Sequence, residues 1–180
     1  FGFFSTFNAD ATGDINLYKG AYPVEHDGRL GAVLDVRTRN ATARDLSGKV
    51  GVSTIASRLA LAGGVGSASW NLSGRRTHLD PLLTAIRNQG EEVPDYYFYD
   101  VNGKLTVPSG AGRIELSAYR GGDDLGFEPD DGTFLDLDWG NNVVSAALVR
   151  APSSKLVTTT RLSYSEYRSN ATAGVFTTPV

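Results

Sequence analysis

Ser67-Ala68-Ser69-Trp70-Asn71-Leu72-Ser73-Gly74-Arg75-Arg76-Thr77-His78 is the stretch that decides the fold of this 180-residue chain. Its odd positions, Ser67, Ser69, Asn71, Ser73, Arg75 and Thr77, are polar. Its even positions Ala68, Trp70, Leu72 and Gly74 are apolar or small. A period of two belongs to a strand with two unlike faces, because a helix, with its period of 3.6, would mix them.

The same pattern recurs downstream. Tyr97 to Val107 sets Tyr99, Val101, Leu105 and Val107 against Asp100, Asn102, Lys104 and Thr106. Arg113 to Arg120 sets Ile114, Leu116 and Ala118 against Arg113, Glu115 and Ser117. Leu156 to Arg168 sets Leu162 and Tyr164 against Arg161, Ser163 and Ser165. Trp139 to Arg150 is strand-like without a clear facing. Gly48 to Ile55 and Arg58 to Gly63 are further candidates. The connections alternate in length. Gly63 to Gly66, Pro108 to Ala111 and Pro152 to Ser154 are tight, whereas Leu79 to Asp95 and the acidic Gly121 to Leu137 are long. Turns at one rim and loops at the other are the mark of an up-and-down barrel. If the tight turns share a rim, Gly48 to Gly63 divides into two short strands near Ala56-Ser57. One long strand is the competing reading.

Residues 1–45 differ in character. Asn8 to Asp14 is turn-rich. Ile15 to Lys19 reads as a short strand ended by Gly20. Pro23 breaks any continuation. Leu30 to Arg39 reads as a second strand, and Asn40 to Asp45 is a polar linker. The opening Phe1-Gly2-Phe3-Phe4 has neither the basic n-region nor the cleavage site of a signal peptide and reads as a cut inside a longer protein.

Composition narrows the function classes. A net charge of −3 gives no electrostatic footprint for nucleic acid. Cysteine is absent, which removes disulfides and cysteine-based zinc sites. No stretch reaches the roughly 18 apolar residues of a membrane-spanning helix, but a spanning strand needs only about 9–11 alternating ones. His26 and His78 are the only histidines and lie far apart in sequence, so no metal site is expected. His26, Asp27 and a serine such as Ser5 or Ser53 lack any nucleophile-elbow context, so no catalytic residues are assigned and no enzyme is expected. Asp123, Asp124, Glu128, Asp130, Asp131, Asp136 and Asp138 crowd one stretch. It reads as a solvated loop, with a Ca²⁺-ordered loop as the alternative.

Several pieces of the chain, in order, resemble TonB-dependent outer-membrane receptors. Ile15 to Gly20 and Gly28 to Arg39 are similar to the last segments of the family's plug domain. Leu59 to Gly63 with Ser73-Gly74-Arg75-Arg76-Thr77 resembles an early barrel hairpin. Tyr97 to Leu105, Trp139-Gly140-Asn141 and Leu162 to Tyr167 resemble later strands. Where the family carries a Tyr-Gly-Gly-Arg type turn, this chain has His26-Asp27-Gly28-Arg29, with one glycine fewer to take positive φ. The resemblance implies an all-β fold: the end of a plug over residues 1–45, then the antiparallel up-and-down first strands of a transmembrane β-barrel over residues 46–180. About six or seven strands of the family's roughly 22 would be present. It further implies import of a scarce nutrient (a siderophore, cobalamin, glycan or peptide) across the cell outer membrane of a Gram-negative bacterium. The partners would be a TonB-type energy-coupling protein, outer-membrane lipid and the nutrient itself. No cofactor is implied and no substrate-binding residue carries over. Trp70, Tyr97, Tyr99, Trp139 and Tyr164 would form aromatic girdles, and Arg75-Arg76 would split between plug or loop carboxylates and lipid phosphate. A soluble all-β binding or adhesion module is the other reading of the alternation.

Overall fold

In the computed structural model, residues 8–20, 23–24, 31–41, 45–129 and 132–175 are described. They form two antiparallel sheets. The first pairs β1 (Thr12–Lys19) with β2 (Ala32–Thr38), with Ile15 opposite Val36 and Leu17 opposite Leu34. The second has seven strands: β3 (Ser47–Val52), β4 (Ala56–Val65), β5 (Ala68–Thr77), β6 (Asp95–Ser109), β7 (Gly112–Phe127), β8 (Thr133–Ser153) and β9 (Leu156–Val175). Their order in the sheet is their order in the chain, and each neighbour is antiparallel. The sheet is all-β up-and-down and is not closed.

One end of this sheet carries two-residue turns, at Gly66-Ser67, Gly110-Ala111 and Ser154-Lys155. Gly66 and Gly110 take φ of +62° and +56°, the positive φ that suits the first central residue of a two-residue hairpin, whereas the Ser154-Lys155 turn is made without positive φ. At the other end, Gly48 to Gly63 is two strands, broken at Ser53-Thr54-Ile55, directly before Ala56-Ser57. A serine turn makes the break. The Ser53 hydroxyl accepts from the Ala56 N–H at 3.1 Å and donates to the Ala56 carbonyl at 3.0 Å.

Two long connections depart from expectation. Within 79–95 lies a helix, α1 (Asp80–Arg87), with Pro81 in its first turn, where a missing N–H costs nothing. Residues 121–137 are mostly strand. β7 continues to Phe127 and β8 starts at Thr133, which leaves a short link. The acidic stretch is therefore not one loop. Asp123, Asp124, Asp136 and Asp138 are strand residues, and Asp130 and Asp131 lie outside the described residues.

Antiparallel partners share a face, so the register maps both faces. One row runs Trp70, Leu105, Leu116, Ala146, Leu162, and the next runs Leu61, Leu72, Gly103, Ala118, Val144, Tyr164. On the opposite face the rows read Lys104, Ser117, Ser145, Ser163 and Ser73, Asn102, Tyr119, Val143, Ser165. The sheet thus has an apolar face and a polar face. Val144, Ala146 and Leu148 settle the facing of the 139–150 segment, and they lie on the apolar side. The polar face is the covered one. Among the described residues the buried polar side chains are Asn8, Ser73, Thr77 and Asp100, and the buried apolar residues are Ala11, Tyr96, Phe98 and Ala147. On the apolar face Leu72, Val144 and Leu162 are 45%, 57% and 78% exposed.

Candidate functional site

The polar face centres on Asp100 of β6, the most enclosed ionisable group described, at 0% exposure. Register places it directly opposite Arg75 of β5, and the Arg75 Nε donates to its Oδ2. Asn8 Nδ2 donates to Oδ1 at 3.0 Å, and Asn102 Nδ2 approaches the same oxygen at 3.3 Å. A carboxylate taken from water needs both a counter-charge and donors for its remaining lone pairs, and these three residues supply them. The Arg75 guanidinium also lies 4.7 Å from the centroid of the Phe98 ring, which shields the pair. Beside it, Thr77 Oγ1 accepts from the Phe98 N–H at 2.8 Å and donates to the Phe98 carbonyl at 3.3 Å. The hydroxyl extends the β5–β6 ladder one step past its last pair, Arg76 with Tyr99.

Local turn chemistry puts Asn8 in place. Its carbonyl accepts from the N–H groups of Ala11 and Thr12, and its Oδ1 accepts from the Asp10 N–H at 3.0 Å. The amide nitrogen is then left pointing at Asp100. Two further tethers join residues before β3 to the sheet. Asp10 Oδ2 lies 3.6 Å from Arg58 Nη1, and Asn71 Nδ2 donates to the Arg39 carbonyl. Farther along the polar face, Tyr96 donates to Asp123 at 2.5 Å, and Lys104 pairs with Glu115 at 3.0 Å.

On the apolar face, a hollow of about 260 Å³ opens just past the aliphatic rows. Tyr97, Tyr99, Arg120, Asp124, Asp138 and Arg168 frame it, with Gly122 and Gly140 at its floor, so its lining carries both signs of charge. The glycines create the space. A Cβ on Gly122 would come within 3.0 Å of the Tyr99 ring, and one on Gly140 within 2.8 Å of the Gly121 carbonyl.

The residues singled out in the sequence are distributed as follows. Arg75 and Arg76 do split, with Arg75 on the polar face and Arg76 stacked 4.9 Å from the Tyr97 ring on the other. The inward partner of Arg75 is Asp100 of the neighbouring strand; residues before β3 contribute Asn8, a neutral amide. Trp70, Tyr97, Tyr99 and Tyr164 share the apolar face. Trp139 does not, because its partners Asp123 and Ser169 lie on the polar side in the row of Phe98. His78 Nε2 is 2.8 Å from the Ser53 carbonyl. His26, Asp27 and Ser5 lie outside the described residues. Among the described residues no group of three metal-ligating side chains occurs. Among the described residues no helix is long and apolar enough to cross a membrane, which says nothing about crossing by strands. Sequence reading missed Asn8 and Asp100 as a pair because 92 residues separate them. The chain has no match among protein-family models, known proteins or solved structures.

Proposed function

We propose that the chain is part of a TonB-dependent outer-membrane transporter, with residues 1–45 the end of the plug and residues 46–180 the first barrel strands. It would import a scarce nutrient of the siderophore, cobalamin, glycan or peptide class, with energy from a TonB-type partner. The observation that carries this reading is the inverted distribution of polarity in a sequential meander. The covered face holds Ser73, Arg75 and Asp100 beneath Asn8, while Leu72, Leu105, Leu116, Val144 and Leu162 on the other face are exposed among the described residues. Water penalises that arrangement at about 25 cal/mol per Å² of apolar surface. Lipid removes the penalty, and a closed barrel removes the open edges. The ten residues of β5 rise about 3.3 Å each, so at a tilt near 45° they cross roughly 23 Å, close to the apolar band of an outer-membrane strand. The short-turn end would be periplasmic and the end bearing α1 extracellular.

The test uses the gene with its native flanking sequence, expressed in a Gram-negative host. Single cysteines replace Trp70, Asn71, Leu72 and Ser73 in turn, which is clean because the chain has none of its own. Positions 71 and 73 should react with a small aqueous thiol reagent once the N-terminal region is displaced. Positions 70 and 72 should report contact with lipid-borne quenchers. Uptake of the cognate nutrient should cease when the energy-coupling partner is deleted. A monodisperse protein in buffer without detergent, with all four positions labelled alike, would overturn the proposal and favour a soluble all-β binding module.

A further inference from the structure

We infer that the outer part of the polar face on β7, β8 and β9 binds a neutral oligosaccharide, with Trp139 and Tyr167 as its stacking surfaces. The inference rests on the transporter reading above and selects one substrate class within it.

The register brings the groups together. Trp139 stands opposite Ser169, and Asn141 stands opposite Tyr167, so the two rings are diagonal neighbours on adjacent strands. A diagonal of this kind sets residues about 7–8 Å apart, within reach of aromatic side chains. On β7 the partner of Asn141 is Gly121. A side chain at Gly121 would collide with the Tyr119 hydroxyl, which lies over it, so this glycine brings a third hydroxyl-bearing ring beside Asn141. Tyr167 is 63% exposed, Asn141 and Ser169 are exposed, and Trp139 and Tyr119 are half-buried. The residues before β3 are tethered to one side of this group. Asp10 meets Arg58 on β4, Arg39 meets Asn71 on β5 and Asn8 meets Asp100 on β6.

Charge selects the ligand. From the row of Ser117, Ser145 and Ser163 outward, the polar face of β7 to β9 carries one charged side chain among the described residues, Asp123. Its carboxylate is engaged by the Tyr96 hydroxyl at 2.5 Å. The nearest cation of that face on β9 is Arg161, one row closer to the short turns. A ferric siderophore with catecholate or carboxylate arms is an anion, and it would meet a carboxylate here with no guanidinium to offset it. A peptide would bring charged termini to the same wall. A neutral sugar needs no counter-charge. Its C–H faces pack on the electron-rich faces of Trp and Tyr rings. Its hydroxyls both donate and accept, as do the Asn141 amide and the hydroxyls of Ser169 and Tyr119. The neutral, hydroxylated surface continues inward, where Ser163 Oγ donates to Ser145 Oγ at 3.1 Å.

The test uses the full-length protein with its native flanking sequence, in nanodiscs. Titration calorimetry compares maltohexaose, cellohexaose, xylohexaose and mannohexaose with a ferric tris-catecholate, cyanocobalamin and an uncapped hexa-alanine. Wild type should bind at least one of the oligosaccharides and none of the other three probes. W139A and Y167A should each weaken binding of that oligosaccharide about tenfold. Y167F keeps the ring and should keep most of the affinity. Y164A, on the opposite face, should leave it unchanged. Binding of the tris-catecholate, cyanocobalamin or the peptide with no oligosaccharide bound overturns the inference and leaves the transporter reading standing. Absence of binding to every oligosaccharide overturns the inference alone. So does an affinity that W139A and Y167A leave at the wild-type value, because the sugar then binds elsewhere. Failure of the wild-type chain to insert, read as complete proteolysis in the discs, overturns the transporter reading and the inference with it.

Discussion

The pairing of β8 with β9 and that of β5 with β6 are opposites. The β8–β9 ladder is the longest, running from Thr133 opposite Val175 to Ser153 opposite Leu156. Yet every residue of β9 is exposed except Glu166 and Gly174, which are half-buried. The β5–β6 ladder is much shorter, from Ser69 opposite Thr106 to Arg76 opposite Tyr99, and it holds buried Ser73 and Asp100, with buried Thr77 and Phe98 just past its end. Backbone pairing alone therefore does not make an interior. Residues 8–12 and Arg39 lie over the β5–β6 polar face through Asn8 and Asn71, and no described element covers β9. Side-chain ordering follows that cover, so mutational cost should rank by position under it rather than by ladder length.

The largest effect is expected at Asp100. Removing the carboxylate with Asp100→Ala takes the paired Asp100 charge away from the Arg75 guanidinium, 17% exposed, at a cost of about 3–5 kcal/mol. Urea unfolding of the lipid-reconstituted protein, followed by tryptophan emission, should show the midpoint fall. An unchanged midpoint would remove the basis for the comparison. Next is Leu72→Arg, which places a charge on the uncovered face of β5. It should cost about 2–4 kcal/mol if Leu72 lies at the bilayer midplane, and folding yield into vesicles measures it. Ser73→Arg should behave differently, with folding into lipid retained and the contact with the N-terminal region disturbed.

Asn8→Ala deletes one of the amide donors to Asp100, and the loss should be about 1–3 kcal/mol. Hydrogen exchange at residues 8–12 should accelerate in this variant while exchange in β8 and β9 stays constant. Ser53→Ala removes the hydroxyl that joins β3 to β4, for about 0.5–1.5 kcal/mol, readable as a small shift in thermal midpoint. The smallest effect should be Thr160→Ala on β9, within about 0.5 kcal/mol of wild type in the same assay. A cost at Thr160 equal to that at Asp100 would show that ladder length, and not cover, sets the ranking.

How much of this was legible beforehand depends on the residues concerned. The period of two in Ser67 to His78 carried over into β5 almost residue for residue, because each alternate side chain meets a different medium. The end of β7 from Gly121 and the start of β8 up to Leu137 did not read as strands. Gly121, Gly122, Asp123, Asp124, Asp136 and Asp138 are types depleted in sheets, and their composition mimics a loop. They are strand because continuous partners on both sides impose it, with Gly122 opposite Gly140 and Asp124 opposite Asp138. The α1 helix was readable in principle, since Leu82, Leu83 and Ile86 have helical spacing after Pro81. The β3–β4 break was expected from the alternation of turns and loops, and the Ser53 hydroxyl that makes it was not read as a turn signal. The enclosure of Asp100 left no local trace. It looked like any other polar residue of an alternating strand, and its partners lie 25 and 92 positions away. Trp139 read as a girdle residue because a tryptophan beside glycine fits either face, and only the register with Asp123 decides.

The strictly sequential order of the seven-stranded sheet has an evolutionary consequence. Each strand of the sheet pairs only with the one before it and the one after. Excising a hairpin such as β6 with β7 would bring β5 against β8, and the polarity of the pairing would remain antiparallel. The side-chain parity would also survive if the number of residues lost between the rims is even. Losing a single strand would instead set two parallel neighbours side by side and turn one rim into the other. Chains of this kind therefore lengthen by duplication of strand pairs and shorten by their loss more simply than by single strands, since a single-strand change needs a parallel pairing.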